Sequence, residues 1–307
     1  MLKNEVFGRA VGGGNMDIWH KLGRIFRISN LGTLIFFILN ISLILALFCP
    51  YGITFEAAPL IICYIVTVLI SLSPVGEWTL ATLAGAKEIQ RKDIKIRLIP
   101  LLEIVFEQAK QKTPSMVDSI RLKIIHEQSP NAFAIGRRTI CVTDGLLNLS
   151  DEEIMAVFAH EVGHLAYQHS AIQLFIGGGN LFVSGCLLII KVVCWIITAL
   201  FAFVGISTRS FLGGFFMTLF GSLSTILIWL WTKFCMLFLM WSTRQNEFIA
   251  DEYAYRLGYG EILANVLDRH MCSAPENGLL KALYSTHPHS DDRVARLQDL
   301  GASYSRY

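Results

Sequence analysis

With 307 residues, 53% of them hydrophobic and only 16% charged, the chain is too apolar for an ordinary soluble protein, of which about a quarter is charged. That length leaves room for one compact soluble domain beside several membrane spans, and hardly for two. A net charge of +2 without long runs of like charge offers nucleic acid no surface, and seven cysteines, an odd number with no Cys-x-x-Cys pair, argue against a disulfide framework.

Residues 1–30 form a polar, glycine-containing N-terminal segment. Apolar regions follow near 31–49 and 58–73, a predicted transmembrane hairpin over 31–76, and again near 174–204 and 211–241, a second hairpin over 173–241. A bilayer needs about 20 helical residues, so each region is read as one span. The third exceeds that need and is expected to tilt or project. No cleavage pattern follows the first apolar run, so no cleaved signal peptide is expected. Lys191 and Lys233 fall within the last two regions and read as side chains reaching for an interface rather than as a pathway. Lys3, Arg9, Lys21, Arg24 and Arg27 precede the first span, while the link 50–57 carries no basic residue. The termini and the soluble segments are therefore predicted to face the cytoplasm.

Those segments, 77–172 and 242–307, make the single soluble domain. Apolar spacing predicts a helix over Lys87–Lys112, and Leu122–Ile125 and Thr139–Val142 read as strands of a small sheet. Pro130-Asn131-Ala132-Phe133-Ala134, with Gly136 beyond, reads as a turn opening into an extended edge segment. Ser150-Asp151-Glu152-Glu153 is a capping box that starts a helix at Asp151. The expected fold class is thus mainly α with a small β-sheet, in a polytopic protein of four transmembrane helices.

The capped helix carries His160-Glu161-Val162-Gly163-His164. Two imidazoles four residues apart share a helix face and can reach one ion, with Glu161 beside them. An open catalytic zinc site takes three protein ligands and keeps a place for water, so a third ligand must come from elsewhere. His169, five residues past His164, would point away on a continuous helix and reads as an ordinary surface residue. Arg244-Gln245-Asn246-Glu247-Phe248-Ile249-Ala250-Asp251 follows the fourth span and puts two carboxylates one turn apart. Glu247 is the candidate third ligand, and Asp251 the candidate acceptor for the free N–H of a ligand histidine. An even number of spans, two, separates the ligand segments, so both lie on one side of the membrane.

On these residues, together with Asn131-Ala132-Phe133-Ala134, Ser242-Thr243-Arg244 and Thr286-His287-Pro288…Arg293, the chain resembles the HtpX-type membrane metalloproteases, relatives of the CAAX prenyl proteases. The resemblance implies a zincin-like α+β catalytic domain and a zinc endopeptidase, with one Zn²⁺ per chain held by His160, His164 and Glu247. It further implies Glu161 as general base, His287 on the developing oxyanion, and Asp251 and Arg244 supporting the ligands. Asn131, Ala132, Phe133 and Ala134 would hold substrate, and Arg293 would support the site or bind the substrate carbonyl. The implied partners are polypeptides, above all misfolded membrane proteins cleaved in protein quality control and the stress response, and the lipid bilayer, in a bacterial inner membrane. A metal-binding scaffold without activity, prenyl-peptide processing and a transporter are the rival readings; the oligomeric state is open.

Overall fold

The computed structural model describes residues 5–7, 30–49, 55, 58–208, 211–270 and 290–305. His287 lies outside them. The described chain is mostly helical with a small mixed sheet, and it divides into two compact units.

The first unit takes residues 1–31, 70–175 and 242–307. Its sheet runs β1 (Glu5–Phe7), β3 (Ser119–Ile125), β5 (Thr139–Thr143), β4 (Ala132–Ile135), and β2 (Lys87–Glu88) also pairs with β3. β3 and β5 are parallel, while β4 returns antiparallel along β5 with Ala132 opposite Val142. All five residues of β5 are buried, as befits a strand paired on both sides. Among the described residues β4 ends the sheet, in agreement with the edge segment read from the sequence.

The helix expected from Lys87 begins later. Gly85 takes φ 76°, a left-handed turn that glycine enters without steric cost, and Lys87 and Glu88 then pair with Ile124 and Lys123 as strand. The helix itself, α4 (Lys92–Lys112), follows the short α3 (Pro74–Leu83) and buries Ile94, Leu98, Leu102, Val105, Phe106 and Ala109 at helical spacing. It packs on α5 (Asp151–Ala166), which also lies against β4 and α8 (Gly260–Arg269). α9 (Ser290–Asp299) packs on α8 and brings Arg293 inward.

The second unit takes residues 32–69 and 176–241. It is built from α1 (Leu31–Phe48), α2 (Ala58–Leu72) and the greater parts of α6 (His169–Thr208) and α7 (Phe211–Arg256). One stretch, His169–Leu200, is by itself long and apolar enough to cross a membrane, and only 11% of its most apolar window is buried. Its 32 residues make a helix about 48 Å long, beyond the roughly 30 Å of a bilayer core. α2 and α3 together meet the same criterion as a pair bent by 70°, whereas Leu31–Ala46 and Gly221–Trp231 are apolar but shorter. Outward-facing Leu188, Ile189, Trp195 and Leu200 suit a lipid environment rather than water. Lys191 and Lys233 are both exposed, the latter with its ammonium 5.9 Å from the Trp229 ring centre.

Candidate metal centre

α5 is fixed at its start by reciprocal hydrogen bonds. Ser150 Oγ accepts from the Glu153 backbone N–H, and Glu153 Oε2 accepts from the Ser150 N–H at 2.8 Å. From α4, Arg97 donates to Asp151 and to the carbonyls of Leu147 and Leu149, so the approach to the helix is clamped as well. From Ala156 to Ala166 every residue of α5 is buried. The helix that carries both histidines is therefore a central strut of the first unit.

The candidate third ligand, Glu247, comes from α7, and Gly163 sets how near it stands. A Cβ at Gly163 would lie 3.2 Å from Ala250 Cα and 3.3 Å from the Ala250 carbonyl oxygen, both backbone atoms of α7. Glycine between the two histidines and alanine three residues past Glu247 thus let the helices approach closely. Across that contact, Glu247 Oε1 is 3.2 Å from His164 Nε2, Glu247 Oε2 is 3.5 Å from His160 Nε2, and the two Nε2 atoms are 3.2 Å apart. Two donors each about 2.0–2.1 Å from one tetrahedral ion stand about 3.3 Å apart. The three atoms therefore have the spacing of one face of a zinc tetrahedron, and two imidazoles with a carboxylate are a donor set that zinc takes readily. The Glu161 carboxylate is buried at the same place, 4.0 Å from His160 Nε2.

Further groups hold these ligands. His160 Nδ1 is 2.9 Å from Asp251 Oδ1, which fixes the tautomer that leaves Nε2 for a metal. Arg293 Nε and Nη2 donate to the two Asp251 oxygens at 2.8 and 2.6 Å, and Arg293 Nη1 lies 3.4 Å from Glu247 Oε2. Burial opposes the charge on Asp251, but Arg293 and His160 outweigh it and hold the carboxyl below its usual range. For His160, burial and Arg293 press the imidazolium pKa down, yet Asp251 and Glu247 overcome them and raise it to about 10. Among the described residues, the buried carboxylates of Glu161, Glu247 and Asp251 gather with the buried Arg293 guanidinium at this place, strongly acidic surroundings that suit a divalent cation.

The other sequence candidates divide. Arg293, expected to support the site or the substrate carbonyl, is buried against Asp251 and Glu247. Arg244, expected to support the ligands, is exposed. Asn131 is half-buried, and its backbone N–H donates to Thr143 Oγ1 at 2.8 Å. Ala132, Phe133 and Ala134 form β4, beside α5.

His169 requires a correction. It is not on the surface: 1% of it is exposed, and its Nδ1 lies 3.2 Å from His164 Nδ1. α5 does not continue through it. Gln168 sits at φ 61°, a left-handed conformation uncommon for residues other than glycine, and the chain restarts as α6 at His169. That break swings the imidazole back toward His164, where helical periodicity had sent it away. Nothing in Tyr167-Gln168 signalled it.

Peptidase family M48 matches residues 100–300, about two thirds of the chain. A protein named "Protease HtpX homolog" from Sulfurovum sp. is 32% identical over 208 residues, covering 58% of this chain and 68% of that one. Another of that name from Neisseria meningitidis is 31% identical over 225 residues, covering 65% and 72%. The crystal structure of S. mikatae Ste24p aligns with 92% of this chain at 18% identity and a TM-score of 0.45, and this chain spans 65% of it, just under two thirds. On the extent of the family match and the coverage of these relatives, the chain belongs to peptidase family M48.

Proposed function

We propose that this membrane-bound metalloprotease is a zinc endopeptidase of the gluzincin type, with His160, His164 and Glu247 as the metal ligands. The observation that carries the reading is the spacing of the three donor atoms, 3.2, 3.2 and 3.5 Å, with the Glu161 carboxylate buried beside them. When bound there, zinc supplies a Lewis acid that polarises the scissile carbonyl and brings the pKa of water toward about 7. Glu161 accepts the proton of the attacking water and passes it to the leaving amine. His287 donates to the developing oxyanion. Asp251 and Arg293 keep the ligands oriented and their charges balanced through catalysis. A scaffold without activity would leave unexplained why a buried carboxylate stands beside the ligand set without joining it.

The substrate enters in this reading as an added strand along β4, with Asn131 to Ala134 contacting its backbone. Recognition through main-chain hydrogen bonds tolerates varied side chains and favours broad specificity. With four spans and both ligand segments on the cytoplasmic face of an inner membrane, the targets are cytoplasmic loops of misfolded membrane proteins.

The purified full-length chain in detergent, stripped with a zinc chelator, is expected to lose cleavage of casein and of a misfolded membrane protein, and to regain it with stoichiometric Zn²⁺. Hydrolysis that continues undiminished in the verified metal-free chain would rule the reading out.

A further inference from the structure

We infer that His169 is a positioning residue that fixes the tautomer and orientation of His164, an inference that rests on the metal-centre reading above. A ligand imidazole offering Nε2 to a cation carries its proton on Nδ1 and needs an acceptor there. For His160 that acceptor is the Asp251 carboxylate, at 2.9 Å. Among the described residues, no carboxylate pairs with His164 at the same place; its ion-pair contact, with Glu247, is through Nε2. The atom 3.2 Å from its Nδ1 is Nδ1 of His169. His164 donates this hydrogen bond and His169 accepts it, which puts the proton of His169 on its own Nε2.

Three further observations belong to the same device. The His164 and His169 rings meet at 70° with centroids 5.4 Å apart, so the contact between nitrogens is not a side effect of face-to-face stacking. Tyr167 stacks on the far ring at 18° and 5.7 Å and limits its rotation. The left-handed backbone at Gln168, φ 61°, turns His169 inward; such strain persists where the surroundings over-determine it, and it gathers at functional sites. The two ligand histidines are thus oriented by unlike partners, one by an ionised carboxylate and the other by an imidazole.

The test compares wild type, His169→Leu and His169→Asn as full-length protein in detergent. Asn carries its amide where histidine carries Nδ1 and keeps an acceptor there, whereas Leu fills the volume and offers none. Zn²⁺ affinity by chelator competition is expected to fall about 10–100-fold in the Leu variant and to stay within about threefold of wild type in the Asn variant. The visible absorption of the Co²⁺-loaded chain should change in Leu and not in Asn. Thermal unfolding of the metal-free forms separates affinity from folding. Affinity equal in all three proteins, or lowered alike in Leu and Asn, overturns the inference and leaves the metal centre standing. A wild-type chain that binds no Zn²⁺ overturns the metal centre itself, and with it the inference.

Discussion

Replacing Glu161 by Gln is expected to lower kcat/KM for peptide hydrolysis by about 10²–10⁴-fold while leaving zinc content and thermal stability near wild type. The substitution keeps the volume of a side chain that is only 4% exposed, so packing in α5 changes little. It removes only the capacity to accept a proton. Glu161 is not one of the three residues whose donor atoms cluster as a ligand set, so the metal should remain. The informative readout is the pair of measurements: activity lost with metal kept identifies a general base. Activity lost together with the metal would make Glu161 a ligand, and unchanged activity would end the proposed mechanism.

Glu247→Ala is expected to act at the previous step. It deletes the α7 contribution to the ligand set, and zinc affinity should fall by more than the roughly 10–100-fold typical of losing a supporting group, taking activity with it. The loss does not stop at the metal. Arg293 Nη1 is 3.4 Å from the Glu247 carboxylate, and deleting one partner of a buried charge pair leaves the other under-compensated. Some destabilisation is therefore expected in the Ala variant even without metal. Glu247→Gln, which keeps the volume and an acceptor oxygen, separates the two effects: the fold should be retained and zinc still lost. Wild-type zinc content in both variants would remove Glu247 from the site.

How much of this was legible in the sequence depends on the range of the interaction. The start of α5 was, because a capping box is local and names its own residues, Ser150 and Glu153. The two histidines on one face were, because helical periodicity alone places them. The strands β3 and β5 and the edge segment β4 were legible in outline. That Gly163 meets the α7 backbone was not, since a glycine shows no partner until the facing helix is known. Arg293 lies 42 residues from Asp251 along the chain, and only the family resemblance singled it out. Even then its role stayed open between supporting the site and meeting the substrate carbonyl, because an ion pair closed by tertiary packing leaves no periodic trace. His169 failed for the opposite reason. Periodicity gave a clear answer that a single left-handed residue, Gln168, reversed.

The spans show the same limit. By length and composition His169–Leu200 meets the requirement for a span by itself, whereas Leu31–Ala46 is apolar but shorter.

Zinc-edge X-ray absorption on the purified wild-type chain tests the joint grip of His160, His164 and Glu247 on one cation most directly. The expected result is one zinc per chain with a first shell of nitrogen and oxygen at about 2.0–2.1 Å, including the multiple-scattering signature of two imidazoles, reduced to one in either His160→Ala or His164→Ala. A shell containing sulfur at about 2.3 Å, or an imidazole count unchanged by both substitutions, would place the metal elsewhere and contradict the account.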